Sequence, residues 1–181
     1  RWRLGMILLA HIIGYFGMAC AIVSFQSDKK KTILIFQALT GLFFCIHFGM
    51  LAWFDNRNTI TGMTLNVISM SRGFVFNFRH KKWGNFFLWP WFFSLLTILI
   101  AIFTWDGLLS LLPTASMVLS CFALWVNHTP LVRKLTLPSS LLWMIYNAYN
   151  HSFAGVSTEI FVTTSILLAI YRFEIRKKKP K

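Results

Sequence analysis

One stretch of twenty residues constrains this chain more than any other. From Phe86 to Trp105 it reads FFLWPWFFSLLTILIAIFTW, with no Asp, Glu, Lys, Arg or His. As a helix rising about 1.5 Å per residue it would be ~30 Å long, the hydrocarbon thickness of a bilayer. Tryptophans stand near both of its ends, as in the aromatic belts of membrane proteins. The stretch therefore predicts a transmembrane helix, and the remaining elements must be placed relative to a membrane.

The rest of the chain has the composition of a membrane protein. Hydrophobic residues make up 56% of the 181 residues, charged residues only 13%, and the mean hydropathy is +0.62. Apolar segments continue almost to the end of the chain, so the first is read as a membrane helix and not as a cleaved signal peptide. Seven segments are predicted to span the membrane, at residues 4–25, 32–53, 59–78, 86–105, 107–126, 135–152 and 155–171.

The net charge of +13 is distributed as in an oriented membrane protein. With seven spans, three of the 18 Lys and Arg residues lie on the side of the N-terminus, fourteen lie on the other side, and Arg72 lies within a span. Positive residues accumulate on the cytoplasmic side of membrane proteins. We therefore expect the N-terminus outside and the C-terminus in the cytoplasm. Because the basic residues flank apolar segments, we expect no nucleic-acid partner.

The segments before and after residues 86–105 resemble each other. A shift of 100 residues places His47 on Asn147, and a shift of 93 places residues 62–66 on residues 155–159. After three helices the chain is on the opposite side of the membrane, and a fourth helix returns it to the starting side. The two repeats would therefore be parallel, with a cavity between them. The predicted fold is an all-α membrane protein with seven transmembrane helices in a 3-1-3 arrangement: a first three-helix repeat (4–78), a linker helix (86–105), a second repeat (107–171) and a basic cytoplasmic tail (172–181).

Polar side chains inside the predicted spans are the candidates for a site. A carboxylate in a span costs about 2.5–3.5 kcal/mol on insertion scales and usually faces a cavity. For each Asn or His the alternative is an interhelical hydrogen bond, worth about 0.6 kcal/mol on average. The candidate substrate-binding residues are His47, Asn66, Trp143, Asn147, Asn150 and Glu159, and the candidate proton site is Glu159, His47 and His11.

Two further features of the spans have a structural and a functional interpretation. Arg72 lies ~9 Å from the predicted cytoplasmic end of its segment, so it could extend to the lipid headgroups or face a cavity and bind an anion. The sequence leaves both interpretations open. Small residues on the first segment form one stripe at helical spacing, which predicts close helix packing; they are Ala10, Gly14, Gly17, Ala21 and Ser24.

No motif of an enzyme occurs in the chain. GxSxG, HExxH, P-loop and CxxC patterns are absent, and the five histidines lack the spacing of zinc ligands. The three cysteines lie inside apolar segments, where free thiols are expected. We therefore expect no enzymatic activity, no cofactor and no metal.

Several strings of residues resemble those of a known family. They are FFCIHFGML at Phe43–Leu51, Leu65-Asn66, Leu111-Leu112-Pro113, WMIYN at Trp143–Asn147, and Thr158-Glu159. From Gly14 to Phe173 the chain resembles the YgjV family of bacterial inner-membrane proteins. The 3-1-3 plan in turn resembles the SWEET and PQ-loop (MtN3-like) transporters. These resemblances imply a multi-pass protein of the bacterial inner membrane with a SWEET-like fold. Segment one lacks the membrane proline of the PQ-loop pattern.

Two functions remain in competition. The first is a transporter or facilitator of a small polar solute through the cavity between the two repeats, in which Trp143 would stack and the Asn residues would donate hydrogen bonds. The alternative is a non-transporting integral membrane protein that binds a lipid or a protein partner. The expected partners are thus a polar solute and membrane lipids, and a homo-oligomer remains open.

The charge distribution generates a prediction of topology. In whole cells, after the native cysteines have been replaced, Asp55→Cys and Asp106→Cys should react with a membrane-impermeant thiol reagent. Lys30→Cys and Lys81→Cys should react only after the membrane is opened. Labelling with the opposite pattern would reverse the orientation inferred from the positive residues.

Overall fold

The protein is built from α-helices. The computed structural model describes residues 2–55, 59–105 and 107–176. Within these ranges it has seven α-helices: α1 Trp2–Gln26, α2 Lys30–Phe54, α3 Ile60–Asn77, α4 Trp89–Phe103, α5 Leu111–Trp125, α6 Thr129–Tyr149 and α7 Phe153–Ile170. The all-α class is thus confirmed. The predicted turn positions 56–58 and 106, and residues 177–181 of the predicted tail, lie outside the described residues.

Four regions of the described chain are long and apolar enough to cross a membrane by length and composition, namely Trp2–Gln26, Lys30–Phe54, Leu108–Trp125 and Phe153–Ile175. The helix α4 is equally apolar but has only 15 residues. The helices α3 and α6 contain Arg72 and Arg133, which lower their hydropathy. An integral membrane protein is therefore supported, and the count of seven spans stays a prediction.

The linker helix is shorter than its apolar stretch. It extends over Trp89–Phe103, or ~22 Å, instead of the predicted 86–105. Pro90 lies in its first turn, where the missing N–H costs nothing and the ring restricts the preceding residues. At the other end Thr104 bonds Ile100 O through both its N–H and its hydroxyl. The apolar composition of residues 86–105 predicted a helix there, but these local contacts determine the residues at which the helix begins and ends.

The helix α6 begins six residues before the predicted segment. His128 is extended, and Pro130 occupies the first turn of Thr129–Tyr149. Pro138 therefore lies inside α6. The predicted bounds leave Arg133-Lys134 in a loop between residues 126 and 135, yet Arg133 is fully buried in the helix.

Six helices form a closed ring in which each packs against the next. The order around the ring is α1, α2, α3, α5, α6 and α7, and α7 returns to α1. The helix α4 packs against α3 and α5. The ring therefore has two junctions between the helices that precede α4 and those that follow it, one between α3 and α5 and the other between α7 and α1.

Side-chain hydrogen bonds cross both junctions. At the α1–α7 junction Gln26 Nε2 donates to Ser165 Oγ at 2.8 Å. Arg79, just beyond α3, donates to Trp125 O and to Asn127 Oδ1 after α5. Burial of this guanidinium lowers the pKa of Arg79 below its ordinary value.

A second arginine holds the α1–α2 loop and the residues after α7. Arg133 Nη2 lies 3.5 Å from Asp28 Oδ1 and donates to Ser27 O at 3.1 Å. Its Nη1 lies 3.9 Å from Glu174 Oε1, and its guanidinium lies 4.8 Å from the centre of the Phe173 ring. Phe173 and Glu174 of the predicted basic tail therefore pack against α6, while Arg172, Ile175 and Arg176 are exposed.

Small residues bring neighbouring helices close together. All five residues of the predicted stripe on α1 are buried, and a Cβ on Gly14 would lie 2.7 Å from Ala154 Cβ of α7. This confirms the stripe as a packing surface. A Cβ on Gly41 of α2 would lie 2.9 Å from the backbone nitrogen of Met70 on α3. Because that neighbour is backbone, it has little freedom to move.

The contact at Gly41 generates a stability prediction. Gly41→Val should force α2 and α3 apart and lower the free energy of unfolding by about 1–3 kcal/mol. Gly5→Val is the matched control, because a Cβ at Gly5 meets nothing within 4 Å and the change in helix propensity is the same. The measurement is the thermal unfolding midpoint of the purified proteins in detergent. Equal midpoints for the two variants would contradict the close approach.

Candidate functional site

A cavity of about 90 Å³ lies inside the ring of helices. It exceeds the ~10–15 Å³ that one water needs and is smaller than the ~150 Å³ engineered cavity that holds benzene. Its polar lining residues are Gln37, Thr40, Asn66, Ser69, Arg72, Ser120, Thr136, Ser139, Ser140, Asn147, Thr158 and Glu159. Its other lining residues are Ala21, Phe25, Phe44, Phe48, Met117, Trp143 and Val162. All six ring helices contribute, and α4 contributes none of these residues.

The guanidinium of Arg72 forms part of the cavity wall on the side of α3 and α5. Arg72 is 2% exposed. Its Nη1 donates to Met117 O at 3.2 Å and lies 3.3 Å from Cys121 Sγ, and its Nη2 lies 3.4 Å from Ser69 Oγ. Arg72 thus lies inside the ring and does not reach the headgroups, which was the structural alternative. An arginine in a span costs about 2.5–3.5 kcal/mol on insertion scales and marks a functional site by default.

The carboxylate of Glu159 forms part of the wall on the side of α6 and α7. Ser140 Oγ donates to Glu159 Oε2, and Ser140 Oγ lies 3.0 Å from Thr163 Oγ1. Glu159 comes from α7 and Ser140 from α6, so this bond joins the two helices at the cavity. Within the described residues no salt bridge joins Glu159 to Arg72. Arg72 and Glu159 therefore line the same cavity from opposite sides without a direct contact between them.

Two asparagines present their amides to the same cavity. Asn66 Nδ2 donates to Gly62 O of its own helix at 2.8 Å, which leaves its oxygen to other partners. Asn147 is 2% exposed, and its Oδ1 is buried without a hydrogen-bond partner. A Cβ on Gly155 would lie 2.2 Å from this oxygen, so only glycine fits beside it. Asn147 Oδ1 thus packs against α7 at Gly155, while the Asn147 side chain as a whole lines the cavity.

Aromatic rings cover one part of the cavity. The Trp143 ring stacks on Phe48, with ring centres 6.2 Å apart and an angle of 19° between the planes. Tyr146 meets Trp143 edge to face at 5.7 Å, and its hydroxyl accepts a hydrogen bond from Gly62 N at 3.2 Å. Trp143 is therefore held in place by rings of α2 and α6 and offers a flat apolar surface.

His47 lies outside the cavity lining, although it was a candidate for both substrate and proton. It is fully buried among α1, α2 and α7. Its Nδ1 lies 2.8 Å from Ala10 O, so Nδ1 donates, and its Nε2 lies 2.8 Å from Ser152 Oγ. Ser152 Oγ also accepts from Gly155 N, so its hydroxyl proton can point to Nε2 of a neutral ring. Both ring nitrogens are thus engaged in holding helices together.

The other two candidates also lie outside the cavity lining. The His11 ring packs 5.3 Å from the His47 ring and 5.9 Å from the Phe153 ring, measured between centres. Asn150 Nδ2 donates to Tyr146 O at 3.1 Å, one turn back in the chain. The structure thus brings together Asn66, Trp143, Asn147 and Glu159 of the predicted site residues, and leaves His11, His47 and Asn150 beside the α1–α2–α7 contact or at the end of α6.

The sequence analysis missed the hydroxyl groups of α6. Thr136, Ser139 and Ser140 line the cavity together with Trp143 and Asn147, at the spacing of one helix face. Ser139 Oγ lies 2.5 Å from Ser116 Oγ and 3.1 Å from Ser120 Oγ on α5. The helical spacing of these residues with Trp143 and Asn147 is a signal in the sequence that could have identified them.

Comparison with known proteins shows the family of the chain. A model of the Imp-YgjV family, described as a bacterial inner membrane protein, matches residues 8–177. Comparisons with curated proteins and with solved structures found no match. The resemblance to the YgjV family is thereby confirmed, while the resemblance to SWEET and PQ-loop proteins stays a prediction. With a match over nearly its whole length and several apolar helices around a polar cavity, the chain belongs to the Imp-YgjV family of bacterial inner membrane proteins.

Proposed function

We propose that the protein is a transporter or facilitator that moves a small polar solute across the inner membrane through the cavity inside its ring of helices. The observation that carries the proposal is the lining of this cavity, to which five of the six ring helices contribute polar side chains and α1 contributes Ala21 and Phe25. A cavity enclosed by that many helices can open toward one side or the other when the two sets of three helices tilt. Polar groups in a membrane interior are expensive, and their convergence on one space favours a solute site.

The proposed architecture is the 3-1-3 plan with seven spans. The helices α1–α3 form one unit, α5–α7 form the other, and α4 connects them. Each unit packs in chain order within the ring, and α4 contacts both units where they meet. In this proposal the units are parallel repeats of a SWEET-like fold, the N-terminus lies outside, and the basic ends lie in the cytoplasm.

The lining residues divide the binding of a solute between them. The side-chain amides of Asn66 and Asn147 would form hydrogen bonds with the solute, and Trp143 would cover an apolar part of it. Glu159 would bind a proton or a donor group of the solute. Among the candidates for a proton site Glu159 is favoured, because both nitrogens of His47 are engaged with Ala10 and Ser152. In the same proposal the protein has no enzymatic activity and no nucleic-acid partner.

The role of Glu159 can be tested by substitution. Glu159→Gln should fold normally, since the amide keeps the shape and can still accept from Ser140, and removing a charge from the membrane interior lowers its burial cost. It should reduce solute uptake into proteoliposomes by at least about tenfold if the carboxylate acts in the transition between states. Uptake is measured with a panel of small labelled metabolites.

Glu174→Gln is the matched control for this experiment. It makes the same chemical change at a carboxylate that pairs with Arg133 and Lys134 outside the cavity. We expect the control to lose some thermal stability and to keep its uptake. If Glu159→Gln is stable and as active as the wild type, Glu159 has a structural role. If no solute in the panel enters vesicles that contain the wild type, the transport proposal fails.

One observation favours the alternative of a lipid-binding protein. A groove of about 290 Å³ lies on α2 and α3, lined by Ile35, Ala38, Leu39, Leu42, Met70, Gly73, Phe74 and Asn77. It is almost wholly apolar and would accommodate an acyl chain. The cavity inside the ring, by contrast, is too polar and too small for one.

Native mass spectrometry separates the two candidates. Under the transport proposal, Leu39→Trp should fill the apolar groove and leave solute uptake unchanged. Retention of one lipid that survives purification and is lost in Leu39→Trp, together with no uptake by the wild type, would favour the lipid-binding function. Leu95→Trp on α4 is the control for an added tryptophan, because Leu95 is also exposed and lies away from the groove.

A further inference from the structure

The charge of Arg72 has no counter-ion in the part of the chain that the structure describes. Its hydrogen-bond partners are a carbonyl oxygen, a thioether, a thiol and a hydroxyl, from Met117, Cys121 and Ser69. Its Nε is buried and makes no hydrogen bond. A side chain that is 2% exposed cannot take its missing partner from bulk water. The guanidinium therefore lies at the cavity with hydrogen-bonding capacity that the protein itself does not use.

The unused capacity lies along one edge of the guanidinium. The Nη1 group makes three contacts, all between 3.2 and 3.3 Å. On the opposite edge Nε has no partner and Nη2 has only Ser69 Oγ, at the long distance of 3.4 Å. Nε and Nη2 donate in parallel, which is the geometry that a carboxylate accepts through both of its oxygens.

The salt bridges within the described residues lie away from Arg72 and do not supply it with a counter-ion. Arg79 bonds to neutral oxygens of Trp125, Asn85 and Asn127. The acidic residues Asp28 and Glu174 pair instead with Arg133, and Glu174 also with Lys134.

Glu159 is the one acidic side chain that lines the cavity among the described residues. Its oxygen is bound by Ser140 on the α6–α7 side, and no salt bridge joins it to Arg72. Arg72 is the one basic side chain that lines the cavity among the described residues. An anionic group is therefore attracted to the wall of α3 and α5, and a donor group to the wall of α6 and α7.

We propose that the cavity binds a small organic acid whose carboxylate lies across the Nε–Nη2 edge of Arg72. The proposal rests on the proposed function, in which this cavity is the solute site, and it names the class of solute. A cavity of about 90 Å³ limits the acid to a few non-hydrogen atoms. Glu159, Asn66 and Asn147 then face the remainder of the molecule, which favours an acid that also carries a hydroxyl or amino group.

Binding can be tested without transport, by the thermal unfolding of the purified protein in detergent. Sodium acetate should raise the unfolding midpoint with increasing concentration, relative to sodium chloride at equal ionic strength. Acetamide, which has the same shape and no charge, should not. Arg72→Met should abolish the shift caused by acetate, and Arg72→Lys should weaken it about tenfold, because lysine lacks the two parallel donors. Arg172→Met is the matched control at an exposed arginine and should behave like the wild type.

The same measurement distinguishes a binding role from a structural one. Because Arg72→Met removes a buried charge that has no counter-ion, its midpoint without acetate should equal or exceed that of the wild type. A midpoint well below the wild type, with the acetate shift still present, would make Arg72 structural and overturn the proposal. If Arg72→Met does not fold, Arg72→Lys decides, since an unchanged acetate response in that variant would overturn the proposal equally.

Two further outcomes separate this inference from the transport proposal. Arg72-dependent binding of acetate, with no uptake of any organic acid, would refute transport and support the carboxylate site. Uptake of a neutral solute that is unchanged in Arg72→Lys, with no acetate shift in the wild type, would support transport and refute the carboxylate site. A shift caused by inorganic phosphate and not by acetate, lost in Arg72→Met, would overturn the assignment to carboxylates.

Discussion

A polar group inside a bilayer finds no water, and leaving it unsatisfied costs several kcal/mol. The arrangement of this protein follows from how it meets that constraint. Many hydroxyl groups return to the carbonyl one turn back in their own helix, as Thr97 does to Phe93, Thr114 to Ser110 and Thr158 to Ala154. Others bond across a helix contact. Twelve polar side chains, among them Arg72, Asn147 and Glu159, line one cavity inside the ring.

The cavity depends on unequal packing around the ring. Glycines let α1 approach α7 and α2 approach α3 closely. A Cβ added at Gly14 would collide with α7, and a Cβ added at Gly41 would collide with α3. Toward the centre the side chains are polar and of moderate size, and they do not fill the space. Close packing at the periphery thus holds the ring together while the centre stays open.

Three arginines illustrate how partners determine the role of one residue type. Arg79 and Arg133 hold loops across the two junctions of the ring, through carbonyl groups, aromatic rings and, for Arg133, acidic side chains. Arg72 has none of the acidic or aromatic partners that the other two use. The first two arginines have acidic or aromatic partners in the structure that they stabilise, whereas the third lines the cavity.

The sequence by itself determined the class of fold and most of its helices, because apolar length and helical spacing are local properties that no tertiary contact can reverse. It also indicated Asn66, Trp143, Asn147 and Glu159, since polar side chains within a span must face inward. It could not separate His47 from these residues. The position of a residue in its segment shows which face of the helix it occupies. Only the packed structure shows whether that face contacts another helix or a cavity. Only the tertiary structure also decided where α6 begins, that Arg133 is buried and that Arg72 has no acidic partner. The free energy of a buried charge depends on its partners, and these lie more than forty residues away in the chain: Met117 contacts Arg72, and Asp28 contacts Arg133.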